Sequence, residues 1–299
     1  VVNIIGNDPV NPEVETRQSG YGDVEKWFSH MWLQEEVPVL DVLWVIDNSG
    51  SMYQFQSNLS TNIGSFITTF ASVNTNYRMA VITTDEYMFS TIIDPTHPDP
   101  ETALASLIMT GIQGHGMEKG LLMAKESLSR SSAAGPGGLF FRENAKLIII
   151  FVSDEPDHSE GGWASYIPFF DNIKPIGQFI PYGVIGDPPI GCGSHRPTAQ
   201  YGSGYWDLIN YYSGGWYSIC AADWGVQLQD LAAEVSGQRR YILTEPDPIV
   251  TTIEVYVNSQ LTNNWSYITA TNSVTFDNGH LPEEGQTITI DYAIWGCGL

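Results

Sequence analysis

The chain has 299 residues, of which 42% are hydrophobic, so it can form one large domain or two around a substantial core. Its 34 acidic and 12 basic residues give a net charge of −22, which excludes nucleic-acid binding and favours cations or basic partners, although it also simply keeps a protein soluble. No apolar run approaches the roughly 18 residues of a membrane-spanning helix, which excludes membrane insertion.

Residues 1–36 are predicted to form an N-terminal extension. The chain begins with the polar stretch "VVNIIGNDPVNPEVETRQSGYGD" and without an initiator Met, so we expect a processed or trimmed product whose signal peptide is out of view. The following segment, "DVEKWFSHMWLQEEV", has a mixed pattern and is predicted to contain a strand that flanks the core.

Residues 37–245 alternate between predicted strands and helices. The predicted strands are "DVLWVID", "YRMAVITTD", "AKLIIIFVSD", "GQFIPYGVIGD" and "RRYILTE". The predicted helices are "SNLSTNIGSFITTFASV", "TALASLIM", "GMEKGLLMAKESLS", "GWASYIPFFDNIK" and "VQLQDLAAEVSGQ", the first with Leu59, Ile63, Phe66, Ile67 and Phe70 on one face. Because some strands are apolar throughout, we predict an α/β fold with a doubly wound, mostly parallel sheet covered by helices on both faces.

The pattern changes after Glu245. The segments "TTIEVYVNSQL", "NSVTF" and "TITIDYAIW" alternate between apolar and polar residues, and Asn, Gly and Pro stand between them. This pattern predicts a small antiparallel all-β domain over residues 246–299.

The three cysteines suggest one disulfide. Cys192 and Cys220 flank an irregular segment rich in Gly, Tyr and Trp, of the kind that a disulfide holds together, so we expect them to pair. Free buried thiols are the alternative, and Cys297 would then pair outside this chain or with a removed segment. The aromatic run between the two cysteines either forms a platform for a sugar or peptide, or packs on itself beneath the disulfide.

Oxygen-bearing side chains follow two of the predicted strands. In "DNSGSM", Asp47, Ser49 and Ser51 stand at alternate positions directly after an apolar strand, where three oxygens can converge on one hard cation. The simpler interpretation is a turn in which one of these residues caps the next helix. The strand "IIIFVSD" ends at Asp154, and the carboxyl ends of parallel strands meet at one edge, which favours the metal site.

With "DNSGSM" after an apolar strand and "FVSDEPD" further along, residues 37–245 resemble a von Willebrand factor A domain with a metal-ion-dependent adhesion site. The resemblance implies a divalent cation, Mg²⁺ first and Ca²⁺ or Mn²⁺ as alternatives, held by Asp47, Ser49, Ser51, a hydroxyl from a second loop and Asp154. It also implies that one coordination position accepts a carboxylate from a protein or glycan partner.

The second loop departs from the family pattern. The hydroxyl-bearing position of the family falls on His115, in "GIQGHGM", and imidazole suits Zn²⁺ or Mn²⁺ better than Mg²⁺ or Ca²⁺. Two alternatives remain: His115 points to solvent and water takes its place, or Thr110 supplies the hydroxyl after a shift of the loop.

The expected function is metal-dependent adhesion outside the cytoplasm. "YSICAADWG" and the trailing β segments are similar to secreted proteins of Gram-negative bacteria, including predatory ones, which implies a secreted protein or one in the periplasm or at the cell surface. We expect no enzyme, because the chain has no Ser-His-Asp order, HExxH, P-loop or GxSxG motif. The alternatives are a scaffold with a vestigial or structural metal site and a metal-assisted hydrolase, for which His115 is the nearby candidate base.

Overall fold

The computed structural model describes residues 13–18, 24–34, 39–73, 76–131, 140–175, 177–193, 198–236, 241–269, 272–277 and 280–296. The chain divides into two compact units, an α/β unit (Pro38–Ser236) and a β unit that combines Val1–Val37 with Gly237–Leu299. Cys297 lies outside the described residues. Within the described ranges, no helix is both long and apolar enough to span a membrane.

Strands and helices alternate through the α/β unit, whereas strands prevail in the β unit. The strands are β1 (Glu13–Gln18), β2 (Val24–Leu33), β3 (Leu40–Ile46), β4 (Tyr77–Thr83), β5 (Lys146–Ser153), β6 (Phe179–Ile185), β7 (Trp216–Ser218), β8 (Tyr241–Ile242), β9 (Glu254–Val257), β10 (Gln260–Thr262), β11 (Trp265–Ile268), β12 (Ser273–Phe276) and β13 (Thr287–Gly296). The α-helices are α1 (Tyr53–Val73), α2 (Pro100–Ile108), α3 (Gly120–Ser131), α4 (Ile167–Ile173), α5 (Tyr205–Tyr211) and α6 (Trp224–Val235). Short 3-10 turns occur at Gly50–Met52, Trp163–Tyr166 and Val250–Thr252.

The α/β unit is built on a parallel sheet. Its strand order is β4-β3-β5-β6-β7, and each neighbouring pair is parallel. The inner strand β3 is buried at every position, and the central strand β5 is buried at all but its first, because helices cover both faces. The predicted α/β fold is therefore confirmed.

Alternate residues of each strand belong to two separate hydrophobic cores, one on each face of the sheet. On one face, Trp44 and its neighbours pack against α1, α2 and α6, and the five residues predicted to share one face of α1 are all buried there. On the other face, Phe151 packs against Tyr205, with ring centroids 4.9 Å apart, and against residues of α3 and α4. This two-sided packing fixes the strands whose ends carry the candidate site.

Two parts of the α/β unit differ from the sequence-based prediction. The aromatic segment between the cysteines contains α5 and the fifth strand, β7, neither of which was predicted as a regular element. The predicted last strand, "RRYILTE", is not in the parallel sheet: its described part, β8, pairs antiparallel with β12 in the β unit. Tyr241 and Leu243 turn towards the apolar core of that unit, which explains where the strand belongs.

The β unit contains two antiparallel sheets. One has the order β1-β2-β13-β9-β10 and the other β11-β12-β8. Phe28, Trp32, Ile288, Ile290 and Tyr292 are buried in its core. The predicted all-β character of the C-terminal region is thus present, with Ile288, Ile290 and Tyr292 on the inner face.

The N-terminal residues enter the same β unit. β2 pairs with β13 along its whole length, from Leu33 opposite Thr287 to Val24 opposite Gly296. His30, between Phe28 and Trp32 on the inner face, is fully buried, and its Nε2 lies 3.2 Å from the Tyr292 hydroxyl. This arrangement differs from the expected division into an extension at residues 1–36 and a β domain beginning at residue 246.

Candidate metal centre

Two neighbouring strands of the parallel sheet place Asp47 and Asp154 at one edge. Asp47 follows β3 and Asp154 follows β5, and the two strands pair in register up to Ile46 opposite Val152. The Asp47 backbone N–H donates to the Val152 carbonyl at 2.9 Å, which extends the ladder into the loop. The sheet itself therefore brings the two loops together.

The first loop is fixed around a buried carboxyl group. Asp47 is completely buried, and its Oδ1 accepts a hydrogen bond of 2.8 Å from the Ser49 backbone N–H. Its Oδ2 accepts a bond of 2.6 Å from the Ser153 hydroxyl at the end of β5. From α1, the Gln56 side-chain amide donates to the Asp47 carbonyl at 2.8 Å. These bonds hold the loop in one conformation from three directions.

Two serine hydroxyls link the first loop to the third. The Ser49 and Ser51 hydroxyl oxygens lie 3.1 Å apart, and the Ser51 hydroxyl donates to Asp154 Oδ1, also at 3.1 Å. Ser49 and Asp154 are buried, whereas Ser51 is exposed. The structure therefore brings together four of the five predicted site residues, with Ser51 on the solvent side.

The fifth predicted residue, His115, lies on an exposed loop. Its backbone N–H donates to Asp85 Oδ2 at 2.6 Å, and the contacts of the described residues join no atom of its ring to Asp47 or Asp154. Thr110, the alternative hydroxyl donor, accepts a bond of 3.0 Å from the Gln56 side-chain amide. Its hydroxyl is thereby linked to the residue that also binds the Asp47 carbonyl.

Sequence reasoning missed a buried acid in the second loop. Glu118, three residues after His115, is completely buried, and its carboxyl lies against that of Asp47. Its Oε2 accepts a hydrogen bond from the Thr84 hydroxyl, whereas its Oε1 has no hydrogen-bond donor among the described residues. In "GHGMEKG" this acid resembles an ordinary solvated residue before a helix, so the sequence carries no local signal of its burial.

The three buried carboxyl groups resist ionisation. Burial and the charge of Asp47 raise the pKa of Glu118 to about 8. The same two causes raise the pKa of Asp154 to about 7. Burial also raises the pKa of Asp47, although hydrogen bonds from Ser153 and Ser49 oppose the change. A bound cation would offset both the burial and the mutual repulsion of the ionised groups.

The donor set fits a hard divalent cation. Buried carboxylate and hydroxyl oxygens are the ligands that Mg²⁺ and Ca²⁺ prefer. In the part of the chain that the structure describes, no group of three or more His, Cys, Asp or Glu side chains has the arrangement of a metal site. The fit therefore rests on the mixed set of carboxyl groups and serine hydroxyls, together with the buried Glu118 oxygen that lacks a donor.

Comparison with protein families agrees with this architecture. Residues 42–156 match the von Willebrand factor type A domain, and the match spans both acid-ended strands. This part of the chain is thus identified as a von Willebrand factor type A domain. A comparison with curated proteins found no match.

Similar solved structures belong to proteins of several organisms. The pilus adhesin SpaC from Lactobacillus rhamnosus GG is 11% identical, with a TM-score of 0.45, and the alignment covers 94% of this chain but 43% of that one. Proximal thread matrix protein 1 from the mussel byssus is 13% identical, with a TM-score of 0.41 and coverage of 68% and 49%. The ArnB paralog VWA2 from Sulfolobus acidocaldarius is 10% identical, with a TM-score of 0.35 and coverage of 95% and 66%. This chain therefore spans less than half of the SpaC structure.

Proposed function

We propose that this chain is a metal-dependent adhesion protein that works outside the cytoplasm, secreted, in the periplasm or at the cell surface. One observation carries the proposal: hydrogen bonds among Asp47, Ser49, Ser51 and Asp154 form a continuous set of oxygen donors at the carboxyl edge of the sheet. These residues would hold a divalent cation, with Mg²⁺ as the first candidate and Ca²⁺ or Mn²⁺ as alternatives.

The cation would supply a positive charge between two acidic groups. With a net charge of −22, the chain repels a partner's carboxylate, and a divalent ion at the site cancels that repulsion locally. Asp47 anchors the site from the buried side, and Ser51 lies on the side from which a protein or glycan partner would approach. The partner's carboxylate would take the remaining coordination position.

Exposed apolar side chains on the same edge support a binding surface. The loop at residues 109–117 joins this edge, because the Gly114 backbone N–H donates to the Asn48 carbonyl at 2.8 Å. Large apolar side chains that are more than a third exposed occur on that loop, on the loops after β4 and β6, and at the start of α1: Met109, Met117, Met88, Ile190 and Tyr53. Flexible methionines are common on surfaces that bind partners.

A role in binding is proposed in preference to catalysis. A metal-assisted hydrolase needs a general base beside the metal-bound water. His115, the candidate for that role, is exposed and is tied to Asp85 through its backbone. The oxygen donors by themselves are sufficient for ion binding and for capture of a carboxylate.

A peptide array tests the proposal. Each peptide would carry a central Asp or Glu, and its matched control would carry Asn or Gln. We expect capture of a subset of the acidic peptides in Mg²⁺, loss of that capture in EDTA, and no capture of their amide counterparts. Capture that persists in EDTA, or that does not distinguish acid from amide, would contradict an ion-bridged mode of binding.

A further inference from the structure

We propose that Glu118 is a direct ligand of the cation and supplies a negative charge from the second loop, in which the family pattern has an uncharged hydroxyl at the position of His115. The inference rests on the proposed metal site and extends it to a residue that the family pattern does not include. In the metal-free structure no three acids of the described residues have the arrangement of a metal site, so the proposal requires the Glu118 carboxylate to close on the ion when it binds.

The first argument is the cost of leaving Glu118 unpaired. A polar atom removed from water is normally hydrogen-bonded, and an ionised carboxylate needs compensation most of all. Glu118 is completely buried, yet among the described residues its Oε1 has no hydrogen-bond donor. The carboxyl against which it lies is that of Asp47, another acid. In the metal-free protein a proton shared between the two carboxyl groups makes this contact, and a cation would take its place and satisfy the unpaired oxygen.

The second argument is that loops from the rest of the site hold Glu118 in place. The Thr84 hydroxyl, which donates to Glu118, also lies 3.3 Å from Asn48 Oδ1 in the first loop. The Glu118 carbonyl accepts a hydrogen bond of 2.6 Å from the backbone N–H of His158, four residues after Asp154. The loop that carries Asp154 and the loop after β4 thus position Glu118, so its burial beside Asp47 is built into the fold.

The third argument concerns charge. Cation affinity at oxygen sites rises with the number of charged ligands and with the rigidity of the site. Two carboxylates balance a divalent ion, and a third leaves a net charge of −1 on the occupied site. Glu118 therefore favours retention of the ion, and in the metal-free protein the burial of this acid beside Asp47 lowers stability.

The test compares Glu118→Gln with wild type and with Glu86→Gln as a matched control. Glu86 is an exposed acid on the loop after β4, and its Oε1 accepts a local bond from the Met88 backbone N–H. For each protein, calorimetry measures the affinities for Ca²⁺, Mg²⁺ and Mn²⁺, and thermal denaturation in EDTA measures metal-free stability.

We expect E118Q to shift the two measurements in opposite directions. Affinity should fall at least about 10-fold, because a charged ligand is lost. The melting temperature in EDTA should rise, because Gln removes a buried acid from beside Asp47. E86Q should change neither. If E118Q alters only the melting temperature, Glu118 is structural and the inference fails, whereas the four-residue site stands. If wild type binds no divalent ion, the proposed function fails as well.

A crystal structure of the wild-type protein with Ca²⁺ decides the matter even if E118Q does not fold. We expect the ion within about 2.3–2.6 Å of a Glu118 carboxylate oxygen, the usual Ca²⁺–oxygen distance. An ion bound to Asp47 or Asp154 but not to Glu118 would overturn the inference.

Discussion

Asp47 connects more parts of the candidate site than the other acids do. Its carboxyl receives hydrogen bonds from Ser49 and Ser153, and its carbonyl receives one from Gln56. We predict that Asp47→Asn abolishes divalent-ion binding and leaves the protein folded, because the amide oxygen can still accept the Ser49 bond and the amide N–H can donate to Ser153. Calorimetry with Mg²⁺, Mn²⁺ and Ca²⁺ checks the first part, and thermal denaturation in EDTA checks the second. Wild-type affinity in the variant would exclude Asp47 as a ligand.

The buried acids make the stability of the metal-free protein depend on pH. Folding raises the pKa of Glu118 to about 8 and that of Asp154 to about 7, so the folded state keeps protons that the unfolded state releases above pH ~4. The contribution of these two groups to folding stability is therefore complete below their pKa values in the unfolded state, and it is lost as the pH rises through about 7 to 8.

We accordingly predict that the melting temperature in EDTA falls between about pH 5 and pH 8, by at least about 4 °C. Excess Ca²⁺ should reduce or reverse the fall, because the ion binds the deprotonated acids and not their protonated forms. Denaturation scans with and without the ion measure both effects. A melting temperature that rises with pH in EDTA would contradict the assignment of these acids as a repelling cluster.

The residues of the site were predictable to different degrees. Asp47 and Asp154 each follow an apolar run directly, and the geometry of parallel sheets converts that local signal into spatial proximity. Glu118 gives no such signal, because its burial depends on Thr84 and His158, which come from other loops. Acids before a helix are usually solvated, so only tertiary structure distinguishes this one.

Among the secondary-structure elements, the short ones were hardest to predict. In α5, Tyr205, Leu208 and Ile209 are buried at helical spacing, but the helix is only seven residues long and lies in a Gly- and Tyr-rich run. β8 has two residues, too few for its pattern to indicate which sheet it joins. Long elements such as α1, with 21 residues, were predicted correctly because their apolar face repeats over several turns.

The predicted Cys192–Cys220 disulfide is confirmed and joins the loop after β6 to the start of the segment that leads into α6. It spans 28 residues, and both cysteines pack against the core beneath α1 and α6. We predict that the double variant Cys192→Ser, Cys220→Ser loses about 3.5 kcal/mol of unfolding free energy, the chain-entropy value for a loop of this size, or roughly 7–14 °C in melting temperature.

Two measurements check the role of the disulfide. Mass spectrometry of non-reduced peptides verifies the bond in the wild-type protein, and thermal denaturation compares that protein with the double variant. If wild-type protein that contains the disulfide by mass spectrometry has the same melting temperature as the double variant, the bond adds nothing to stability.

The β unit combines both ends of the chain, an arrangement that the order of the sequence conceals. Each apolar core contains residues of one unit: the two cores of the α/β unit lie within residues 40–235, and the core of the β unit combines Phe28 and Trp32 with residues 241–292. The local sequence pattern of residues 1–36 predicts an extension, because the alternation of residues within β2 does not indicate that β13 is its partner. The pairing links residues more than 250 positions apart, such as Val24 with Gly296.

This arrangement predicts different outcomes for two truncations. A chain that begins at residue 37 loses β2, which lies between β1 and β13 in the sheet and buries Phe28, His30 and Trp32. Complete burial of a large apolar side chain contributes about 1.5–3 kcal/mol, so the remaining β unit should unfold or aggregate.

A fragment of residues 38–236 keeps both cores of the α/β unit and the whole candidate site. It should therefore remain soluble, unfold cooperatively and bind divalent ions with the affinity of the full chain. Circular dichroism, light scattering and calorimetry compare the two proteins. If the β unit of the chain that begins at residue 37 unfolds cooperatively and as it does in the full-length protein, the assignment of β2 to its core is wrong.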